Sequence, residues 1–353
     1  MAKKIVLILV LVVAVLGFMN RERIMGFFQK ESRTINTTEK KLLIKEEPNL
    51  SALSAILVEE GVIKSSEDFK SYVLENNIDT TNFAAGKYII LSGTKISTLT
   101  NGFLKNTEGQ GNAEVKVNVI FNRCKTIEDV GGAISKCIAA DSASIVETIQ
   151  SDEILKKYDF TIEQIPALFL PKNYEMYFDT DAEGFISFMA ERFKEFWTAE
   201  RYEKLSAVGL KSPSQATTIA SIVYSEQSRD AEEWPIIAKL YLNRLNKGML
   251  LQSDPTFKFC WGDKLDGVER LLNKHKQIDC PYNTYIYAGL PPGPICIPPA
   301  EVIDAVLNPA DVNYIFMCGK PGGNGHNFAV TNAQHERNVA EYRVWLKAYL
   351  RNK

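Results

Sequence analysis

The chain has 353 residues, of which 45% are hydrophobic, so it is long enough to form one or two ordinary hydrophobic cores. It carries 41 basic and 43 acidic residues, which gives a net charge of −2, and neither sign is collected in a long run. Because nucleic-acid-binding proteins need a basic surface, this balance argues against a nucleic-acid partner.

The N-terminus is the one segment with the character of a targeting signal. Two lysines precede an unbroken apolar run at residues 5–19, whose helix would cover only about 22 Å of the roughly 30 Å hydrocarbon core. That length fits a signal-peptide core as well as a membrane span. No small-x-small cleavage site follows Gly17, which favours an uncleaved signal-anchor over residues 1–25, with a polar linker at 26–40. With either interpretation, we expect the rest of the chain to be exported.

An internal repeat follows the linker. At an offset of 77 residues, Leu50, Leu53, Leu57, Ser65, Phe69 and Tyr72 correspond to Ile127, Val130, Ile134, Ser142, Val146 and Ile149. Each copy predicts a strand, a helix, a turn and a second helix, and residues 89–91 add a closing strand to the first copy. Such strand-helix-helix-strand units resemble LysM modules, so we predict a LysM-like subdomain at 41–107 and a second repeat-like unit at 115–155. Two ordinary α+β units without glycan binding are equally compatible with the pattern.

The remainder of the chain predicts a mixed α+β catalytic domain at residues 108–353, so the fold class is α+β. The predicted helices are residues 182–205, 213–228, 232–247, 299–307 and 333–351. A short strand is predicted at 314–318, ahead of a glycine-rich turn, and the region after Met249 is predicted to be loops with short strands.

The helix predicted to begin at Pro213 places a carboxylate where an apolar side chain is expected. Ser212 suits the N-cap, Pro213 the first helical position, and Gln215 completes a capping-box pattern. One stripe of this helix consists of Ala216, Ile219, Val223 and Glu226. Burial raises the pKa of a carboxyl, which suits a general acid working near neutral pH. A structural Glu226 paired with an arginine is the alternative.

Four motifs appear in one order along the chain. They are ASIV-x-x-E at residues 220–226, NRL-x-x-GM-x-LQ-x-DPT at 243–256, YNTY-x-x-x-GLPPGPI at 282–295, and His326 with Phe328. Together they resemble the endolytic murein transglycosylase (YceG-like) family, over most of the chain from about Leu42. The resemblance implies that Glu226 carries the chemistry. Many members have an acidic residue where this chain has Tyr224, which leaves Glu226 as the only carboxylate of its helix.

Other residues of these motifs are candidates for substrate binding, each with a structural alternative. The candidates are Asn243, Arg244, Gln252, Asp254, Tyr282, Asn283, Tyr285 and His326. Asp254 before a proline suggests a turn or cap, or else a group that positions substrate or water. Arg244 is expected to be a structural or electrostatic partner of Glu226 or Asp254. The segment 282–285 forms one wall of a glycan groove or packs in the core, and His326 binds substrate or stabilises its turn.

The resemblance implies a membrane-anchored enzyme that cleaves the MurNAc-GlcNAc β-1,4 bond inside peptidoglycan strands, leaves 1,6-anhydro-MurNAc ends, and limits the elongation of nascent strands. It implies a bacterial inner-membrane protein with its catalytic domain on the extracytoplasmic side, working with peptidoglycan synthases. A non-catalytic peptidoglycan-binding protein and a hydrolytic muramidase are the alternatives. No metal-site, serine-hydrolase or nucleotide-binding motif occurs in the sequence, so we predict neither metal nor cofactor.

Six cysteines occur without a CxxC spacing, and in an exported protein they can pair in fifteen ways. Pairing of sequence neighbours needs the least chain reach, and it joins Cys124 with Cys137, Cys260 with Cys280, and Cys296 with Cys318. Free buried thiols are the alternative.

Overall fold

The computed structural model describes residues 32–122, 124–265, 272–323 and 325–351, and its fold is mixed α+β as predicted. The chain divides into two compact units. The first contains the described residues up to Lys116 together with Tyr177–Asp179, and the second contains Val117–Met176 and the described residues from Thr180 onwards.

The first unit is a strand-helix-helix-strand arrangement followed by a third helix. Its elements are β1 (Lys40–Ile44), α1 (Leu50–Glu59), α2 (Ser66–Glu75), β2 (Gly86–Ile90) and α3 (Ile96–Phe103). The two strands pair antiparallel, with Lys40 opposite Ile90. Asn49 and Ser65 accept hydrogen bonds from the first turns of α1 and α2, so each helix begins at a side-chain cap.

The second unit begins with elements that correspond to those of the first. They are β3 (Lys116–Ile120), α4 (Ile127–Ile134), α5 (Ser142–Gln150), α6 (Asp152–Tyr158) and β4 (Asn173–Tyr177), with β3 and β4 in one sheet. The fully buried Leu53 and Leu57 of α1 have their counterparts in Val130 and Ile134 of α4, at the offset of 77. The second helices correspond at 76 residues instead, as in the fully buried pair Val73 and Ile149. The loop between the two helices is therefore one residue shorter in the second copy than in the first.

The rest of the second unit is mostly helical. Its elements are α7 (Ala182–Phe196), α8 (Ala199–Ala207), α9 (Pro213–Glu226), α10 (Trp234–Asn246), α11 (Asp254–Trp261), α12 (Ala300–Leu307), β5 (Phe316–Gly319), β6 (His326–Ala329) and α13 (Asn332–Arg351). Helix α9 packs against α10, α11 and α12, and β5 pairs antiparallel with β6. The core of this unit therefore surrounds the helix that carries Glu226.

Two predictions about helices are wrong. Residues 182–205 form two helices, because Trp197 leaves the helical conformation and the Thr198 side chain caps a new helix at the N–H of Arg201. The region after Met249 contains α11, in which Asp254 is the first helical residue and Pro255 lies in the first turn, where the missing N–H of proline has no helical partner to lose.

The apolar run at residues 5–19, and with it the predicted signal-anchor at 1–25, lies outside the described residues. Among the residues that are described, no helix combines the length and the apolar character needed to cross a membrane.

Candidate active site

Glu226 is the last residue of α9, and the start of this helix is fixed by side-chain caps. The hydroxyl of Ser212 accepts the N–H of Gln215 at 3.3 Å. The Gln215 side chain accepts the N–H of Lys211 at 2.8 Å, one residue before the partner that a capping box predicts. The first bond satisfies an N–H group that the first helical turn leaves without a partner, and the second holds the residue before the N-cap, so together they define where α9 begins.

The predicted stripe along α9 is buried, and so are the residues from Ala216 to Val223 on the other faces of the helix. Ala216, Ile219 and Val223 are fully buried, and Glu226 continues the same face as a partly exposed residue. Because α9 is enclosed by three other helices, its register is set by these apolar contacts. The helix therefore holds the carboxyl group of Glu226 at its C-terminal end, at the edge of the core.

Two hydroxyl groups donate hydrogen bonds to one oxygen of Glu226. Tyr241 Oη lies 2.8 Å and Ser253 Oγ 2.6 Å from Glu226 Oε1. The other oxygen, Oε2, has no partner among the described residues and is not enclosed by protein atoms. The carboxyl group is thus fixed through one oxygen and open at the other, which is the arrangement needed to exchange a proton with a bound molecule.

Burial raises the pKa of Glu226 and is the largest influence on it. The hydrogen bonds from Ser253 and Tyr241 oppose this, since they favour the carboxylate. The charge of Asp254 raises the pKa further, whereas that of His326 lowers it. The net result is a carboxyl that keeps its proton to higher pH than an exposed glutamate, as a general acid requires.

The two donors are themselves held in place. Tyr241, on α10, is 2% exposed, and burial followed by the charge of Glu226 raises its pKa well above the usual value, so its hydroxyl remains a donor. Ser253 precedes α11 and is fully buried, and its N–H donates to Thr284 Oγ1 at 3.0 Å. Segments from two motifs of the chain therefore converge on Glu226.

Asp254 lies next to this group but is bound to other partners. Tyr285 Oη donates to Asp254 Oδ1 at 2.5 Å, and Lys276 Nζ forms an ion pair with the same oxygen at 3.1 Å. Lys276 Nζ also donates to Tyr285 Oη at 2.9 Å. The three side chains form a closed triad beside Glu226, and Lys276 is a member that the sequence did not suggest.

The expected pairing of Arg244 with Glu226 or Asp254 is wrong. Its guanidinium group donates to the carbonyl oxygens of Leu250 at 2.9 Å and Ile315 at 2.7 Å, and to Gln252 Oε1 at 2.6 Å. Arg244 is 7% exposed, and burial lowers its pKa. The donors of its guanidinium group therefore connect α10 to the residue before β5 and to the segment before α11, and they do not pair with Glu226 or Asp254.

The two asparagines proposed for substrate binding already use their amide nitrogens within the protein. Asn243 Nδ2 donates to the carbonyl oxygens of Val312 and Tyr314, both at 3.0 Å. Asn283 is fully buried, and its Nδ2 donates to the carbonyl oxygens of Lys276 at 3.0 Å and of Ile278 at 2.8 Å. Both side chains thus position backbone segments around the site.

The aromatic side chains of the segment 282–285 pack on α11. The centroid of the Tyr282 ring lies 4.7 Å from that of Phe259, and the centroid of the Tyr285 ring lies 5.8 Å from that of Phe257. Burial raises the pKa of Tyr282 to about 12 and that of Tyr285 further. Tyr282 and Tyr285 remain partly exposed and neutral, so each combines a packing role with an accessible edge.

The cysteines give one bridge. Cys260 and Cys280 form a disulfide that joins the end of α11 to the segment before Tyr282, as predicted. The other two predicted bridges are wrong, because Cys124, Cys137, Cys296 and Cys318 are free. Cys296 Sγ points to the carbonyl oxygen of Ser221 at 3.5 Å, and Cys137 Sγ to that of Ala133 at 3.8 Å. Nearness in sequence therefore did not bring these thiols together.

Glu233 is a residue of this region that the sequence analysis missed. It is 7% exposed and accepts the backbone N–H of His326 at Oε1, the His326 ring at Oε2, and Gln227 Nε2 at Oε2. Burial alone would raise its pKa, but the hydrogen bonds from His326 and Gln227 outweigh burial and lower the pKa of Glu233. It is therefore a buried carboxylate, hydrogen-bonded to the residue that follows Glu226. Within the described part of the chain, no group of three or more His, Cys, Asp and Glu side chains could hold a metal ion.

Comparison with known proteins finds relatives that match most of the chain. The endolytic murein transglycosylase of Bacillus subtilis (strain 168) is 26% identical over 309 residues, which cover 83% of this chain and 82% of the relative. The protein of the same name from Streptococcus pneumoniae serotype 2 (strain D39 / NCTC 7466) is 24% identical over 329 residues, 85% of this chain but 57% of that longer relative.

A solved structure is also similar to this chain over most of its length. The crystal structure of a YceG-like protein from Listeria monocytogenes matches with a TM-score of 0.53 and 25% identity, covering 86% of this chain and 99% of that one. The sequence profile of the YceG-like family matches residues 42–341, which include all four motifs. The chain belongs to the YceG-like family, as the motifs predicted.

Proposed function

We propose that this protein is a lytic transglycosylase that cleaves the MurNAc-GlcNAc β-1,4 bond inside peptidoglycan strands. The observation that carries the proposal is the carboxyl group of Glu226, with a raised pKa, one oxygen fixed by two hydroxyl donors and the other open. Family membership and the names of the curated relatives support the enzyme class and the substrate.

A single carboxyl can perform both halves of this reaction. The protonated Glu226 gives its proton to the leaving glycosidic oxygen as the bond from that oxygen to C1 breaks. The resulting carboxylate takes the proton of the C6 hydroxyl of the same muramic acid, and the C6 oxygen bonds to C1. The product is a 1,6-anhydro end, one glycan strand becomes two, and no water is consumed. Between the steps, the hydrogen bonds from Tyr241 and Ser253 stabilise the carboxylate.

A hydrolytic muramidase is the second candidate, and the position of Asp254 next to Ser253, which binds Glu226, supports it. The charge of Asp254 acts on Glu226, and its side chain is 40% exposed, so it could reach a water molecule. Against this, Asp254 Oδ1 is held by Tyr285 and Lys276. A hydrolase that inverts would need such a second carboxylate about 6.5–9.5 Å away to activate water.

The first unit supplies a possible glycan-binding element. A cavity of about 480 Å³ opens between the segment around Asn49 and the segment around Thr81, at the start of α1. Its lining is mainly polar, with hydroxyl, amide and carboxylate groups that suit a sugar. We propose that this LysM-like unit binds peptidoglycan. If the protein binds but does not cleave, this unit accounts for its function without Glu226.

We also propose that the apolar run at residues 5–19 anchors the protein in the bacterial inner membrane, with the catalytic unit on the extracytoplasmic side beside peptidoglycan synthases. The support is the sequence of that run and the extracytoplasmic location of peptidoglycan. Deletion of residues 1–23 should give a protein that still cuts peptidoglycan but no longer fractionates with membranes. Membrane fractionation of the truncated protein would contradict the proposal.

Glu226→Gln tests the catalytic assignment. Glutamine keeps the shape of the side chain and can accept the bonds from Tyr241 and Ser253, but it cannot transfer a proton, so cleavage should fall by about 10²–10⁴-fold. The assay is the length distribution of purified glycan strands, because internal cutting lowers the mean length long before short end fragments accumulate. Thermal unfolding confirms that the variant is folded. Activity within a few-fold of the unmodified protein contradicts the assignment.

A further inference from the structure

The buried carboxylate of Glu233 holds one residue, His326, at two points. Glu233 Oε1 accepts the backbone N–H of His326 at 2.8 Å, and Oε2 lies 2.8 Å from His326 Nδ1. Glu233 precedes α10, whereas His326 begins β6, so the contact joins segments 93 residues apart. A single carboxylate therefore fixes both the backbone and the ring of His326.

This contact decides which ring nitrogen carries the proton. The hydrogen bonds from His326 and Gln227 keep Glu233 ionised, and a carboxylate can only accept hydrogen bonds. His326 Nδ1 must therefore be the protonated nitrogen, and in the neutral ring Nε2 carries the free lone pair. Nε2 has no partner among the described residues and is not enclosed, and the side chain is 16% exposed.

Glu233 and His326 are linked to the residue that follows Glu226. Gln227, which follows Glu226 directly, donates from Nε2 to Glu233 Oε2 at 3.2 Å, and its backbone N–H caps the end of α9 at Val223. A proton on His326 would lower the pKa of Glu226, so the two side chains are close enough to interact electrostatically. Hydrogen bonds thus connect His326 through Glu233 to Gln227, the residue that follows Glu226 in the chain.

The glycine before His326 is required by this contact. Gly325 has φ +90°, and a Cβ atom at this position would lie 2.3 Å from Glu233 Oε1. Only glycine allows the backbone to lie directly on the carboxylate. Gly322 has a similar conformation, φ +97°, but a Cβ there would meet no atom within 4 Å. Alanine at Gly322 would add backbone strain alone, whereas alanine at Gly325 would add backbone strain and a collision with Glu233.

We propose that Glu233 is a positioning residue that fixes His326 in the Nδ1–H form, so that His326 Nε2 accepts a hydrogen bond from a hydroxyl group of the glycan bound at Glu226. The identity of this ligand as a glycan rests on the proposed function. Without the carboxylate, the ring can rotate and protonate at Nε2, which then presents a donor in place of an acceptor. The hydroxyl group would lose the partner that sets its orientation.

The protonation state of the ring can be measured without any activity assay. The chain has three histidines, so ¹⁵N-labelled histidine gives few signals, which His275→Gln and His335→Gln assign. For the neutral ring we expect His326 to show the Nδ1–H pattern, and Glu233→Ala to show a mixture dominated by Nε2–H. An Nε2–H ring in the unmodified protein overturns the proposal. If Glu233→Ala does not fold, Glu233→Asp serves, because its shorter side chain cannot reach both groups.

Binding gives the second readout. A peptidoglycan tetrasaccharide is added to Glu226→Gln, which should bind but not cleave it. We expect the His326 Nε2 signal to shift while the Nδ1 signal stays, because only Nε2 receives a new hydrogen bond. Saturable binding with no change at Nε2 overturns the proposal. This measurement does not depend on which reaction the enzyme catalyses, so failure of the transglycosylase mechanism is distinguishable from failure of the His326 contact.

The glycine pair provides the kinetic test. Gly325→Ala should lower kcat/KM by about tenfold or more, the effect of losing one well-oriented hydrogen bond, and should shift the ring toward Nε2–H. Gly322→Ala carries the same kind of backbone strain without touching Glu233, and it should leave both readouts near those of the unmodified protein. Equal losses of kcat/KM in the two variants, with an unchanged His326 ring, would mean that the contact with Glu233 has only a structural role.

Discussion

Removing the hydroxyl group of Ser253 changes the pKa of Glu226 in a direction that the geometry fixes. Ser253 Oγ donates to Glu226 Oε1 at 2.6 Å, and this bond favours the carboxylate over the protonated acid. Ser253→Ala removes that support and leaves Tyr241 as the remaining donor. Since Ser253 is fully buried and its backbone N–H is bound to Thr284, the variant should keep its fold.

The size of the effect follows from the type of bond. A hydrogen bond to a charged group contributes about 1.5–3 kcal/mol, and one pKa unit corresponds to about 1.4 kcal/mol. Complete loss of the bond would therefore raise the pKa of Glu226 by about one to two units. Because Tyr241 remains and water can partly replace the hydroxyl, we expect a rise of about one unit in the pKa of Glu226. The carboxylate formed during the reaction also loses support, so the rate at low pH should fall by up to about tenfold.

The assay is the pH dependence of kcat/KM on soluble glycan strands. In the proposed mechanism the active form of the free enzyme has protonated Glu226, so activity falls as pH rises through its pKa, and Ser253→Ala should move this alkaline limb upward by about one pH unit. Stability provides a second readout. Because folding raises this pKa above 4.5, the contribution of Glu226 to the unfolding free energy is full below that pH and declines as pH rises to the folded value. In the variant this decline should extend to higher pH.

Ser225→Ala is the matched control. Ser225 precedes Glu226 on the same helix, but its hydroxyl donates to the carbonyl oxygen of Ser221 at 2.7 Å and not to the catalytic carboxyl. This variant should leave the alkaline limb unchanged. A limb that stays in place in Ser253→Ala, or moves to lower pH, would refute the role assigned to the hydrogen bond.

Three further predictions concern the surroundings of Glu226. Asp254→Asn should weaken binding but leave every new end as 1,6-anhydro sugar by mass spectrometry; reducing ends, or complete loss of cleavage with binding intact, would make Asp254 catalytic. Replacing both Cys260 and Cys280 by serine should lower the unfolding free energy by about 3 kcal/mol, as expected for a loop of 20 residues, and a change below 1 kcal/mol in denaturant unfolding would contradict this. Arg244→Lys should cost about 2 kcal/mol of stability by the same measurement, because lysine cannot make all three bonds, while the alkaline limb of activity stays in place; a shifted limb would restore the pairing with Glu226.

The helix of Glu226 could be predicted because its signals are local. Ser212 and Pro213 mark its start, and the apolar stripe repeats at helical spacing, so few distant contacts were needed to identify it. The break between α7 and α8 near Thr198 could not be predicted, because the apolar pattern continues across it. Two helices are distinguished only by the Thr198 side chain, which accepts the N–H of Arg201 and caps the second helix.

The partners of the polar residues could not be predicted in the same way. Arg244 finds the carbonyl oxygen of Ile315 and Glu233 finds His326, at separations of 71 and 93 residues. In the sequence, Glu233 stands in an acidic stretch before Trp234, which is typical of an exposed helix start. Its burial results from a distant glycine-rich loop that covers it, and helical spacing carries no information about such a contact.

The measurement that tests the central claim most directly is digestion of labelled peptidoglycan in ¹⁸O water. If Glu226 works alone as acid and then base, the new muramic acid ends are anhydro sugars with no ¹⁸O, and the product that carries such an end is about 20 mass units lighter than the same product hydrolysed in ¹⁸O water, which has gained one H₂¹⁸O. Reducing ends that carry ¹⁸O, produced by the unmodified protein, would contradict the account and identify a hydrolase.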